Sequence, residues 1–225
     1  MNLLVLGRGK TGSLVAEVAR EHGHNVRVAG KSDNQNGAAL TRERLADVDV
    51  VVDFTTPADV LENTAACAAA GRSMVVGTTG WYDSLPRVRD LVAKGGIGFL
   101  YSANFSVGVN LFFDIARTAA ATLRQGYRGN IVERHHVHKK DAPSGTAVKL
   151  REIIEDASGA HLEVASVREG EVVGTHIIQL DSPSDTITLT HEARSRRGFA
   201  EGAVRAAEWM KGKKGFFEFK DVLKD

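Results

Sequence analysis

Leu3-Leu4-Val5-Leu6-Gly7-Arg8-Gly9-Lys10-Thr11-Gly12, running on into Ser13-Leu14-Val15-Ala16-Glu17-Val18-Ala19, is the stretch that decides the fold. A short apolar run stops at glycine. Leu14, Val15, Val18 and Ala19 then recur on one helical face, and Gly23 is a fitting stop. The reading is strand, G-x-G-x-x-G, helix. In that setting the glycines let the backbone turn tightly and approach a pyrophosphate, whose charge meets free N–H groups and the positive end of the helix dipole. Gly7, Arg8, Gly9, Lys10, Thr11 and Gly12 are therefore expected to hold a dinucleotide. A ligand-free tight turn would match the glycines alone; their place at the head of an alternating series favours the cofactor. Gly9-Lys10-Thr11 also imitates the end of a G-x-x-x-x-G-K-[ST] phosphate loop, but that pattern needs glycine where the chain has Leu4.

Further along, strands are predicted at residues 26–29, 48–52, 73–76 and 97–101, with helices from Pro57 to about 70 and over about 85–93. Strand and helix in this rhythm mean right-handed parallel crossovers and a Rossmann-type, doubly wound α/β sheet. After residue 103 the rhythm changes. A long helix (107–123), a strand (130–138) and a helix (about 146–157, with Ser144 as cap) precede extended runs at 163–168, 172–180 and 186–193. Consecutive strands predict a second α+β domain with a mixed or antiparallel sheet. The helical tail at 199–210 is expected to pack back on the first domain. The expected division is 1–103 plus about 197–225 for dinucleotide binding, and 104–196 for substrate binding and oligomerisation.

Ligands of open parallel sheets lie at the carboxyl ends of the strands. Three loops at such ends are rich in small and hydroxyl residues: Phe54-Thr55-Thr56-Pro57, Gly77-Thr78-Thr79-Gly80 and Ser102-Ala103-Asn104-Phe105. Of these, Gly77, Thr78, Thr79, Ser102, Ala103, Asn104 and Phe105 are candidate cofactor contacts. No acid directly ends the second strand, where one would bond the ribose hydroxyls of NADH; the sequence continues Gly30-Lys31-Ser32 before Asp33. Lys31 is either a contact for the 2′-phosphate of NADPH or an exposed loop lysine, so NADPH and NADH both remain open.

Composition narrows the class of partner. The 29 basic and 28 acidic residues nearly cancel, which gives no electrostatic reason to expect a nucleic-acid partner. A single cysteine, Cys67, sits among alanines and excludes an internal disulfide or a Cys-rich metal site. No apolar run reaches the ~18 to 20 residues that span a bilayer, and no signal core follows Met1. The expectation is a cytoplasmic protein without a membrane partner.

The densest chemistry lies in Glu133-Arg134-His135-His136-Val137-His138-Lys139-Lys140-Asp141-Ala142-Pro143-Ser144-Gly145-Thr146. Three histidines within four residues invite a metal. On a strand, however, His136 and His138 share a face while His135 points away, and two histidines beside a lysine make a poor zinc site, so no metal is expected. Acid–base chemistry with anion binding fits better. Histidine titrates near ~6.5, Lys139 offers a point charge for a carboxylate, and Ser144-Gly145-Thr146 at a helix start offers N–H groups and hydroxyls to an anion. A solvated basic turn would account for Ser144 but not for the histidines.

The run E-x-H-H-x-x-K-x-D-A-P-S-G-T-A, intact from Glu133 to Ala147, resembles the most distinctive motif of the 4-hydroxy-tetrahydrodipicolinate (dihydrodipicolinate) reductase family. The glycine loop, Asp53-Phe54-Thr55, Gly77-Thr78-Thr79-Gly80, the segment from Ala103 to Asn110, Gly174-Thr175-His176, and Arg196 to Ala203 leading to Gly215-Phe216-Phe217 extend the likeness along the chain. The resemblance implies reduction of a small dicarboxylated cyclic substrate with NADH or NADPH in diaminopimelate and lysine biosynthesis. It implies His135 as catalytic proton donor or acceptor and Lys139 as second proton donor and carboxylate partner. His136, Gly145 and Thr146 would be substrate contacts, and the assembly a homotetramer built through the second domain. Three departures from the family pattern bear on cofactor choice and assembly: a glycine loop one residue shorter than in many members, the missing acid after the second strand, and an abbreviated second domain.

Overall fold

The apolar run after Met1 forms β1 (Asn2–Leu6), and the chain then alternates through α1 (Lys10–Glu21), β2 (Asn25–Ala29), β3 (Val50–Asp53), α2 (Val60–Ala70), β4 (Ser73–Val76), α3 (Leu85–Gly95) and β5 (Gly98–Tyr101). In this computed structural model, which describes residues 1–224, these elements belong to one unit, Met1–Ser106 completed by Arg197–Asp225. The second unit, Val107–Arg196, carries α4 (Val107–Ala119), β6 (Arg128–His135), α5 (Gly145–Ser158), β7 (Glu163–Arg168), β8 (Thr175–Asp181) and β9 (Thr186–Glu192). The chain returns to the first unit with α6 (Arg197–Met210), β10 (Gly215–Glu218) and the short α7 (Phe219–Val222).

In the first unit the strand order is β10-β5-β4-β3-β1-β2, parallel throughout. Register sets Leu6 beside both Ala29 and Asp53, and Asp53 beside Val76, so the carboxyl ends of four strands line up. From β1 the chain steps outward to β2 and then back to β3 on the other side. That reversal opens a crevice beyond the strand ends, where ligands of such sheets bind. Val50, Val51 and Val52 are all buried because helices cover both faces: α1 packs on α6, and α2 on α3. Leu6, Val51, Met74 and Phe99 belong to the resulting core.

The sheet of the second unit runs β7-β6-β8-β9, with β6 and β7 parallel and the other pairs antiparallel. Helices α4 and α5 pack on each other over a core that includes Phe112, Ile131, Leu150, Ile154, Ile178 and Leu180. The fold is thus a Rossmann-type sheet plus a smaller mixed sheet, as the sequence pattern predicts.

Local differences have local causes. The helix expected from Pro57 begins at Val60, because Asp59 closes a turn on Thr56, its amide 3.0 Å from the Thr56 carbonyl and its carboxylate 2.6 Å from the Thr56 hydroxyl. The helix expected over 107–123 changes at Ala119 into a 3-10 stretch, Ala120–Gln125, where the Thr122 hydroxyl donates to the Ala119 carbonyl at 2.7 Å. The strand expected over 130–138 stops at His135. There the amides of His136 and Val137 turn to the carbonyls of Val172 and Gly170, at 2.7 and 3.3 Å. No strand is predicted at Gly215–Glu218, which pairs with β5 at the sheet edge. Among the described residues no helix is long and apolar enough to cross a membrane.

Candidate active site

Gly7, directly after β1, adopts φ 103°, and a Cβ there would lie 2.3 Å from the Phe54 carbonyl oxygen. A Cβ on Gly12 would come within 2.2 Å of the Gly7 oxygen. The loop, the start of α1 and the end of β3 are therefore packed backbone to backbone, which only glycine allows. An open cleft of about 350 Å³ lies above them, lined by Gly9 to Gly12, Phe54, Thr55, Pro57 and Gly77 to Thr79. Lys10 is exposed and Thr11 partly so, at the first turn of α1, whose cap residue Gly9 offers no side chain to the free amides. These unclaimed N–H groups and the room above them fit a dinucleotide pyrophosphate.

Beside the loop, Arg8 and Lys31 are both exposed. Arg8 forms an ion pair of 2.8 Å with Asp33, whose carboxylate also accepts from the Gly30 amide at 2.8 Å. Asp33, three residues beyond Gly30, thus folds back to the end of β2. Ser102 to Phe105 form a turn closed by the Ser102 hydroxyl, which donates to the Asn104 carbonyl at 2.7 Å and accepts from its amide at 3.1 Å. Ala103 is exposed at this turn, while Phe105 is buried against Phe54 and Phe219.

Beneath the cleft, Asp53 is wholly buried at the end of β3. It accepts from the amide and hydroxyl of Thr55 at 2.9 and 2.6 Å, from Asn63 at 2.8 Å and from the Thr78 hydroxyl at 3.1 Å. Burial raises its pKa against the pull of those bonds. One carboxylate so ties two cleft loops together, and the Trp81 indole braces the second by donating to the Thr78 carbonyl at 2.8 Å.

In the second unit β6 delivers Glu133 and His135 to the same face, two residues apart. Glu133 is wholly buried and His135 nearly so. One Glu133 oxygen accepts from the Ser144 amide at 3.2 Å and from Arg168 at 2.8 Å; the other lies 3.0 Å from Nδ1 of His135, at an angle short of a straight hydrogen bond. Arg168, at the end of β7, also donates to the carbonyls of Lys139 and Asp141 and so clamps that loop. His176, opposite Glu133 on β8, sets its ring edge-on to His135 with centroids 5.3 Å apart, and its Nε2 lies 3.3 Å from the Ser144 hydroxyl.

Charge follows from these contacts. Burial alone would raise the pKa of Glu133, but hydrogen bonds from Ser144, Arg168 and Ser166 outweigh it and hold the carboxyl at about 2. Burial lowers His135, with Glu133 opposing and Lys139 and Arg168 assisting, and it takes His176 down to about 4. Lys139 is partly buried and reaches both oxygens of Asp141, at 2.8 and 2.9 Å. His136 has left the strand and lies 3.3 Å from Arg196, so the expectation that it shares a strand face with His138 fails. Exposed Gly145 and partly exposed Thr146 open α5, capped by the Ser144 hydroxyl, which accepts from the Ala147 amide at 3.2 Å.

The donor atoms of Glu133, His135 and His176 lie within 4.8 Å of one another, as do those of His22, His24 and Glu208. The first set already serves Arg168 and Ser144; the second forms a surface contact in which His24 meets Glu208 at 2.7 Å. Sequence reasoning assigned no role to Arg168, Asp33 or Asp53. Only Asp53 had a signal, as an acid inside an apolar strand; the other two acquire partners through the fold.

A glycine loop at the reversal point of a parallel sheet, with a separate unit carrying a buried histidine, a lysine and a helix start capped by a serine, defines a nicotinamide-dependent oxidoreductase of a small anionic substrate. The family described as dihydrodipicolinate reductase, N-terminus matches residues 1–105, and its C-terminus counterpart matches residues 108–223. The chain belongs to the dihydrodipicolinate reductase family. It is 36% identical to the 4-hydroxy-tetrahydrodipicolinate reductase of Christiangramia forsetii, over all of this chain and 98% of that protein. It is 42% identical to the Chromobacterium violaceum enzyme of that name, over 80% of this chain and 74% of the other. Among solved structures, a dipicolinate-bound dihydrodipicolinate reductase from Paenisporosarcina sp. TG-14 superposes with a TM-score of 0.79 at 25% identity, covering 99% of both chains.

Proposed function

We propose that this chain reduces 4-hydroxy-tetrahydrodipicolinate to tetrahydrodipicolinate with NADH or NADPH, in diaminopimelate and lysine biosynthesis. One observation carries the assignment of residues: a buried His135 with a carboxylate at its Nδ1, in the same short segment as Lys139 and the capped start of α5. Gly7 to Gly12, Gly77 to Thr79 and Ser102 to Phe105 would hold the cofactor, with Arg8 and Lys31 available to its adenosine ribose. Bound there, it would supply the hydride that, with one proton and the loss of the 4-hydroxyl as water, reduces one double bond of the substrate ring.

The protein's own groups do the rest. Gly145, Thr146 and the amides of the first turn of α5 hold one substrate carboxylate, with the helix dipole in their favour. Lys139 exchanges Asp141 for the second carboxylate, and His136 orients the ring. His135 exchanges the proton that balances charge on the reduced ring, with Lys139 as the second donor. Buried and weakly basic, His135 is poised to cycle between charge states rather than remain a fixed cation. The family likeness further supports a cytoplasmic homotetramer joined through the second unit, where Ile187 on β9 is exposed.

The test is to supply the product of dihydrodipicolinate synthase and follow NADH and NADPH oxidation. Turnover with at least one cofactor is expected; none with either defeats the proposal. His135→Gln should lower turnover on the order of 10²-fold with little change in KM. Lys139→Ala should damage both turnover and substrate affinity. An unchanged rate in His135→Gln would remove that residue's role while leaving the reaction in place.

A further inference from the structure

We infer that Glu133 is a positioning residue: it holds the proton of neutral His135 on Nδ1, so that Nε2 is the nitrogen through which His135 works. The inference rests on the role proposed for His135 and deepens it. Glu133 lies one strand repeat before His135, so its side chain falls on the same face by backbone geometry alone. Its Oε2 and Nδ1 of His135 are both buried and 3.0 Å apart, and among the described residues neither makes a hydrogen bond of ordinary geometry to another group; the Ser166 hydroxyl is the one further donor that steadies the carboxylate. A buried donor or acceptor left unpaired costs about 1–3 kcal/mol, so a small ring rotation that straightens this contact is favoured over leaving both atoms unmet.

The rest of the cluster determines which way the carboxylate can act. Oε1 is committed to two donors, the Arg168 guanidinium and the Ser144 amide. Those bonds keep the carboxyl ionised, so toward His135 it can only accept, and Nδ1 must be the protonated nitrogen. Nε2 points toward Gly174, where an added Cβ would stand 3.0 Å away, so the absence of a side chain there keeps space open at this nitrogen. The other charged or titratable groups acting on His135 are Lys139 and Asp141 on the following loop, Arg168 on β7 and His176 on β8. Lys139 and Arg168 lower its basicity; Glu133 supplies the largest opposing pull.

Glu133→Gln separates this role from simple packing. The Oε1 position must still receive two donors, so the amide oxygen goes there and the NH₂ is left facing Nδ1. A facing donor requires Nδ1 to be an acceptor, and the proton moves to Nε2. In ¹⁵N-detected spectra, with the His135 signals assigned by their loss in His135→Gln, the wild-type ring should be Nδ1–H when neutral and the Glu133→Gln ring Nε2–H. Turnover should fall about ten- to a hundredfold, up to the lower edge of the roughly 10²–10⁴ that general acid–base catalysis supplies, because the general acid–base group itself is retained, while KM changes less than about threefold. With the carboxylate gone, the limb of the pH–rate profile governed by His135 should move to lower pH.

A wild-type His135 protonated on Nε2 overturns the inference, and that outcome needs no variant to fold. So does a folded Glu133→Gln with wild-type turnover and pH profile. Absence of reductase turnover in the wild type would instead defeat the proposed function, and the ring tautomer would still decide the Glu133 arrangement.

Discussion

His176 shows how burial converts a residue type into a particular state. Its ring lies between Glu133, His135 and Ser144, and with a pKa near 4 it is neutral at physiological pH. The unfolded chain, by contrast, takes up a proton at this histidine near pH 6.5. Between those values the unfolded state binds more protons, so stability rises with pH there and is lost as pH falls from 6.5 toward 4. Glu133 adds a second loss of the same sign at lower pH, from its ordinary value of 4.5 down to about 2. The C2 proton of His176 should therefore titrate with a midpoint near pH 4 rather than near 6.5. Urea melts between pH 7 and 4 should weaken less steeply in His176→Asn than in the wild type. A His176 titration near 6.5 would contradict the buried placement. None of this is legible from the residue alone: the sequence shows three histidines within four residues as the notable feature, whereas His176, from another strand, completes the buried cluster.

At the scale of elements, the sequence was legible where a single segment settles its own structure. The glycine loop, the valine run at Val50–Asp53 and the start of α5 are such cases. Ser144 predicts a cap because its hydroxyl can accept from an amide one turn ahead, and Ala147 provides that amide. It was not legible where a distant strand decides. Nothing within 130–138 says that Gly170 and Val172 will take the amides after His135, and nothing in Gly215–Glu218 announces an edge strand before β5 is in place. The candidate site divides the same way, with His135, Lys139 and Thr146 readable from one motif, and Arg168 reachable only through the parallel pairing of β6 with β7. The cap yields its own prediction. Ser144→Ala should cost about 1 kcal/mol for the lost cap, and somewhat more because Nε2 of His176 loses its neighbour. Urea unfolding measures it. A change within about 0.3 kcal/mol of zero, below the cost of any ordinary cap, would mean that water replaces the hydroxyl at both contacts.

On the scale of the whole molecule, the chain leaves its first unit after Ser106 and re-enters it at Arg197, and this has a consequence for any truncation. Removing residues 197–225 does not trim a tail. It takes away α6, with Ala200, Ala203, Val204, Ala206, Ala207 and Met210 all wholly buried, and also strand β10. Burial of a side chain such as Val204 or Met210 contributes about 1.5–3 kcal/mol, against a total folding stability of about 5–15 kcal/mol. Losing both, together with four buried alanines and an edge strand, exceeds what the remaining sheet can absorb. The second unit should fare differently, because Phe112, Ile131, Leu150, Ile154 and Ile178 all lie within Val107–Arg196. A chain ending at Arg196 is therefore expected to lose hydrogen-exchange protection across β1 to β5 and NADH binding with it, while β6 to β9 stay protected. Trp81, buried in the first unit, reports the same event by a red shift of its fluorescence. If the shortened chain bound NADH as the full chain does, α6 and β10 would be accessories to the nucleotide-binding sheet rather than part of its core.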